Sequence, residues 1–100
     1  MRIEKTQIAD LNDSRYRLCA PVTATLKIYD VGDVIADGLG CWGYGWSIAE
    51  ALDSLRRDIV GEYTLCRGTD MSGQGCAVQA WYRRAQKVIE VIAEQAEKTL

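Results

Sequence analysis

Gly43-Tyr44-Gly45-Trp46-Ser47-Ile48-Ala49-Glu50-Ala51-Leu52-Asp53-Ser54-Leu55 changes its period at the serine. Before it, every second residue is aromatic, as on a pleated strand whose side chains alternate between two faces. After it, Ile48, Ala51, Leu52, Leu55 and Ile59 fall at i, i+3, i+4, i+7 and i+11, the apolar stripe of a helix that packs on a sheet. Ser47-Ile48-Ala49-Glu50 is a capping box: the serine hydroxyl is expected to accept from the Glu50 amide, and the Glu50 carboxylate from the Ser47 amide. A strand therefore hands over to a helix at 47. Two ends are open for that helix, a stop at Gly61 or a run toward Leu65, so 62–66 reads as helix or strand.

Working back from this junction, a strand over 39–46 places Trp42, Tyr44 and Trp46 on one face, with Leu39, Cys41 and two glycines on the other. Asp37-Gly38 turns the chain before it, Val34-Ile35-Ala36 is an extended apolar run, and Asp30-Val31-Gly32-Asp33 has turn chemistry. Further back, Val22, Ala24, Leu26 and Ile28 alternate with Thr23, Thr25, Lys27 and Tyr29, the pattern of a half-buried strand. The reading is α+β: an antiparallel meander of three strands, or four, with one packed helix and a long C-terminal helix. That last helix follows from the absence of any breaker after Gly75, over about 77–99. Fully helical, residues 77–100 would span about 36 Å, against roughly 26 Å for the diameter of a compact domain of this size. Part of it should reach beyond its own core.

From Tyr16 to Cys66 the order of signals resembles the small HicB-like family. The residues that carry the resemblance are Ala20-Pro21-Val22-Thr23-Ala24, the turn from Asp30 to Asp33, and Gly43-Tyr44-Gly45-Trp46-Ser47 running into Ile48-Ala49-Glu50-Ala51-Leu52-Asp53-Ser54-Leu55. The resemblance implies a single domain over 1–100 with a core at about 14–66, related to a split β-α-β arrangement. It also implies an antitoxin-like binding role, in which such a domain blocks a small toxin ribonuclease. The chain departs from the family's pattern in two places. Its last third has no helix-turn-helix, and Trp46 stands where the family usually carries Asp or Glu.

The chain has 100 residues, 48% of them hydrophobic and 26% charged, with one proline, which places it among single folded domains. Twelve basic and fourteen acidic side chains give a net charge of −2, so no global positive field exists to hold a polyanion. Histidine is absent, which removes the commonest general base and metal ligand and argues against an enzyme. Cys19, Cys41, Cys66 and Cys76 form no C-x-x-C pair, so neither a zinc site nor a redox centre is expected and the thiols read as small buried hydrophobes. No cofactor is expected. The start of the chain lacks the apolar core of a signal peptide, and no apolar run reaches membrane length, from which a cytoplasmic location is expected.

Two motifs have plainer structural readings. Gly38-Leu39-Gly40-Cys41-Trp42-Gly43 spells G-x-G-x-x-G, yet the helix begins four residues past its last glycine and a tryptophan fills the approach, so it reads as a hairpin and not as a dinucleotide loop. Asp30, Asp33 and Asp37 lack the glycine and terminal glutamate of a calcium loop, and read as turn and strand-end residues.

Candidate function rests on aromatics and on charge order. Trp42, Tyr44 and Trp46 are expected to be covered by the C-terminal helix or by a second subunit, or to anchor a protein partner, since aromatic anchors dominate interfaces. On the last helix Arg83, Arg84 and Lys87 precede Glu90, Glu94 and Glu97, against the helix dipole. Antiparallel pairing with a second copy, centred near Val88 and Ile89, would set Arg83 and Lys87 opposite Glu94 and Glu90 and bury Trp81, Ala85, Val88 and Ile92. The competing reading is a solvated face on a helix folded over its own sheet. The expected function is a non-enzymatic binding module acting as a homodimer or higher oligomer, with a small toxin-like protein as partner. One alternative is a nucleic-acid or nucleotide-ligand binder using the same aromatics with Arg56, Arg57, Arg83 and Arg84. Another is a small viral or mobile-element inhibitor of a host factor.

Overall fold

A computed structural model describes residues 2–11 and 23–99, with side chains as far as residue 87. The architecture is α+β. Four strands, β1 (Ile3–Asp10), β2 (Thr23–Tyr29), β3 (Val34–Gly38) and β4 (Cys41–Gly45), form an antiparallel meander in sequence order. Helix α1 (Ile48–Arg67) follows, then a 3-10 turn at Met71–Gly73 and helix α2 (Cys76–Thr99). Ala20, Pro21 and Val22, expected to open the second of these strands, lie outside the described residues.

β2, β3 and β4 are the meander read from the alternation. Ala24, Leu26, Val34, Ala36 and Cys41 point to one side and are buried with Leu11 against Ala51, Leu55, Ile59 and Tyr63 of α1. A two-residue turn joins β3 to β4, with Leu39 at φ 49° and Gly40 at φ 70°, so the G-x-G-x-x-G stretch is a tight hairpin.

Gly43 sets how closely α1 sits. A Cβ there would meet Ala51 O at 2.5 Å and Leu55 Cα at 2.7 Å, as well as the Leu55 amide nitrogen. The backbones of β4 and α1 touch because no side chain separates them. The Ser47 hydroxyl accepts from the Glu50 amide at 3.1 Å as expected. The returning Glu50 carboxylate, however, accepts from the Trp46 amide at 3.0 Å and not from that of Ser47. Trp46 follows directly on β4, which lies at the edge of the sheet, and Glu50 supplies its amide with an acceptor.

α1 does not stop at Gly61. It runs to Arg67 and is closed by Gly68, whose amide donates to Thr64 O at 3.2 Å. The stripe continues through Tyr63 and Cys66, both buried, so burial outweighs the roughly 1 kcal/mol helix penalty of a glycine. Residues 62–66 are therefore helix.

β1 has no counterpart in the sequence reading. Ile3 and Ile8 are five residues apart, opposite parity for a regular strand. An irregularity of register between Ile3 and Lys5 puts both on the face opposite α1, in register with Tyr29 and Thr25. Its isoleucines thus face outward while only Ala9 packs toward the core, which is why no half-buried alternation could be read.

Arg56 is a further surprise. It is buried on α1, where its Nε–H donates to Leu11 O at 2.8 Å and its Nη1 reaches Asp53 Oδ1 at 3.1 Å. Expected at a nucleic-acid surface, it instead ties the end of β1 to the helix.

Candidate partner-binding face

Among the described residues, neither helix covers the outward side of the sheet. α1 packs on β3 and β4, and α2 packs on α1. Trp81 is directed back to the β3–β4 turn, its indole N–H donating to Leu39 O at 2.6 Å, while the Tyr82 ring meets that of Tyr63 at a tilt of 35° with centroids 5.5 Å apart. The outward face is then fixed by strand register. One row across the sheet reads Ile8, Thr25, Asp37, Trp42, and the next reads Thr6, Lys27, Ile35, Tyr44. Trp42 is 63% exposed, Trp46 65%, Tyr44 41% and Ile8 73%. The expected alternation of Trp42, Tyr44 and Trp46 against Cys41, Gly43 and Gly45 is present, but among the described residues nothing covers the aromatic side. The first half of α2 goes to the opposite side of the sheet because Trp81 finds its hydrogen-bond acceptor there.

The stripe is held rigid at its centre. The Tyr44 hydroxyl donates to Asp33 Oδ2 at 3.2 Å, and its ring meets that of Trp46 edge-on, centroids 6.0 Å apart and planes at 70°. Asp33 was expected as a solvated turn residue. It is 8% exposed, and its other oxygen, Oδ1, is buried without a hydrogen-bond partner among the described residues. Desolvation and the neighbouring Asp33 carboxylate push the Tyr44 phenol above its ordinary value, so the donor stays protonated.

The edge of β4 is blunted. Ser54 Oγ accepts from the Tyr44 amide at 3.1 Å, and Glu50 from that of Trp46, so donors that an added strand would need are already used by α1. Recognition on this side falls to the face and its rim. Among the described strand positions of the outward face Lys27 is the only basic residue, and Asp37 and Asp10 lie on the same face. With Arg56 buried, the guanidinium set required for the nucleic-acid reading loses a member, while Arg57, Arg83 and Arg84 are exposed.

The residues expected at a seam between two copies are divided. Ala85 is fully buried in the chain's own core, and Trp81 packs against that core. Ala85 is therefore not left over for a second copy, because α2 folds back over α1 along this stretch, whereas Trp81 is only half-buried. Arg83 and Lys87 are exposed. The side chains of Val88, Ile89, Glu90, Ile92 and Glu94 lie outside the described residues. Sequence reasoning missed Ile8 and Ile35 on the outward face, since their alternation belongs to a sheet side that is not core.

Cys41 and Cys66 are buried and Cys76 is exposed, all three as free thiols; Cys19 lies outside the described residues. Among the described residues no group of His, Cys, Asp and Glu is placed to hold a metal ion, and no helix is long and apolar enough to cross a membrane. Burial pushes the Cys41 thiol up to about 12, assisted by the Asp58 carboxylate beside it and by Glu62 and Asp37. Cys66 is raised by burial and by Glu62. Only the thiolate alkylates, so iodoacetamide at pH 8 should modify Cys76 and leave Cys41 and Cys66 intact in the folded protein, as read by peptide mass mapping. A raised thiol pKa means that the folded state keeps a proton the unfolded chain loses. The stabilising share of Cys41 is therefore present below pH 9 and disappears as the pH rises toward about 12.

No family model, curated protein or solved structure matches the chain.

Proposed function

We propose that the chain is a non-enzymatic binding module that holds a protein partner against the outward face of its sheet, with Trp42, Tyr44 and Trp46 as anchors. The exposure of two indoles, at 63% and 65%, beside a phenol locked by Asp33 carries this reading. Large aromatics fixed together in water mark interaction sites, and pre-ordered rings lose little freedom on binding. The meander entering a capped helix at Ser47 supports kinship with HicB-like domains, and with it a small toxin-like protein as the partner.

The same reading includes self-association. The charge order from Arg83 to Glu97 favours antiparallel pairing of two copies, which would rest mainly on residues from 88 onward because Ala85 is buried within the chain and the Trp81 indole N–H is bound to Leu39 O. Light scattering of the free protein should then give twice 11.1 kDa; a monomer's mass would remove this part.

The test is affinity for a partner recovered from the native host and purified. Trp42→Ala and Trp46→Ala should each weaken it by about 30-fold or more, the scale of an aromatic hot spot of about 2 kcal/mol. Thermal stability should barely change, since both indoles are largely in water. Unaltered affinity in both variants would overturn the proposal.

A further inference from the structure

A cleft of about 460 Å³ opens between α1, α2 and the β3–β4 turn. Its walls include both Trp42 and Trp81, and its lining carries the carboxylates of Asp58 and Glu62, one helical turn apart on α1. No lysine or arginine lines it; the guanidinium of Arg84 lies near Gly40 without lining the cleft. Neither Asp58 nor Glu62 forms an ion pair among the described residues, and like charges four apart on a helix disfavour each other. Cys41 also lines the cleft, and its buried thiol stays protonated beside Asp58, so it is neutral there and the two carboxylates carry the charge of the site.

Indole faces and carboxylates attract one class of group, a cation on an apolar stem. A flat guanidinium suits this site better than an ammonium, because it stacks on an indole while its N–H groups reach carboxylates. Trp42 belongs both to this wall and to the outward row of the sheet, and Trp42 and Asp58 also line a neighbouring groove with Tyr44, Ser54 and Arg57. A partner seated on the outward face can therefore reach round the rim of β4. We infer that the cleft between Trp42 and Trp81 receives an arginine side chain of the protein partner, held by Asp58 and Glu62. This rests on the binding role proposed above and adds the chemistry that the partner must present.

The probe is N-acetyl-arginine amide, followed through the indole N–H resonances of the three tryptophans. Saturable shifts at Trp42 and Trp81, with little at Trp46, are expected. The uncharged citrulline counterpart should bind at least about tenfold more weakly. An equal response to citrulline amide, or none to the arginine compound, overturns the site without recourse to any variant. Asp58→Asn with Glu62→Gln, both at exposed positions, should abolish the shifts and weaken the purified partner by about tenfold or more. If the double variant loses the probe but keeps the partner, the cleft is not an arginine subsite of that interface. Failure of Trp46→Ala to weaken the partner, with probe binding intact, would instead count against the binding face.

Discussion

Gly43→Ala should lower the stability of the domain by about 3 kcal/mol, the upper part of the range for forcing an extra carbon into a packed interior. The reason is the kind of atom the methyl meets. Ala51 O at 2.5 Å and Leu55 Cα at 2.7 Å are helix backbone, so no side-chain rotation can make room and α1 must lift from β4. For a domain of this size that loss corresponds to a fall in Tm of between about 12 and about 24 °C. Gly61→Ala is the internal control, because a Cβ there meets nothing within 4 Å and alanine is the better helix former. It should raise stability by about 0.5 to 1 kcal/mol. Urea unfolding of the two variants should thus shift in opposite directions. Equal and small shifts would mean that α1 is not seated on the glycine strand.

Arg56→Ala should cost about 3 kcal/mol, as expected for removing one partner of a buried, hydrogen-bonded charge. The Leu11 carbonyl would lose the donor 2.8 Å away at a residue only 2% exposed, and the aliphatic stem of the arginine would leave a void. Arg56→Met keeps most of that stem and should recover part of the loss, whereas Arg56→Lys lacks the fork that serves Leu11 and Asp53 at once. Amide hydrogen exchange in Arg56→Ala should quicken first in β1, because Leu11 ends the segment that this contact ties to α1. A variant that kept its stability but lost affinity for nucleic acid would restore Arg56 to the role the sequence suggested.

The legible parts of the fold are those where one side of an element is core. The junction at Ser47 could be read because a change of period coincides with a capping residue, and β2 to β4 because their inward residues are apolar. β1 could not, since it presents isoleucines outward and its bulge changes their parity. Arg56 looked like a surface charge because its acceptor is a backbone carbonyl 45 residues away, which no local spacing reveals. The aromatic stripe lies on one face as its alternation implies, yet among the described residues the C-terminal helix does not cover it: alternation tells which residues share a side, not which helix lies over it. Asp33 was similarly hidden, since its burial depends on the Tyr44 hydroxyl arriving from another strand.

On the proposed function, Trp42 and Trp46 are open in the free chain and closed by a partner. Acrylamide quenching of single-tryptophan variants, each keeping one indole and replacing the other two by phenylalanine, measures this most directly. Free protein should show Trp42 and Trp46 readily quenched and Trp81 shielded, in line with 63% and 65% exposure for the first two and a half-buried third. On forming the complex, quenching of Trp42 and Trp46 should fall to the level of Trp81. If both stay as accessible in the complex as in the free protein, the partner binds elsewhere and the outward face is not the site.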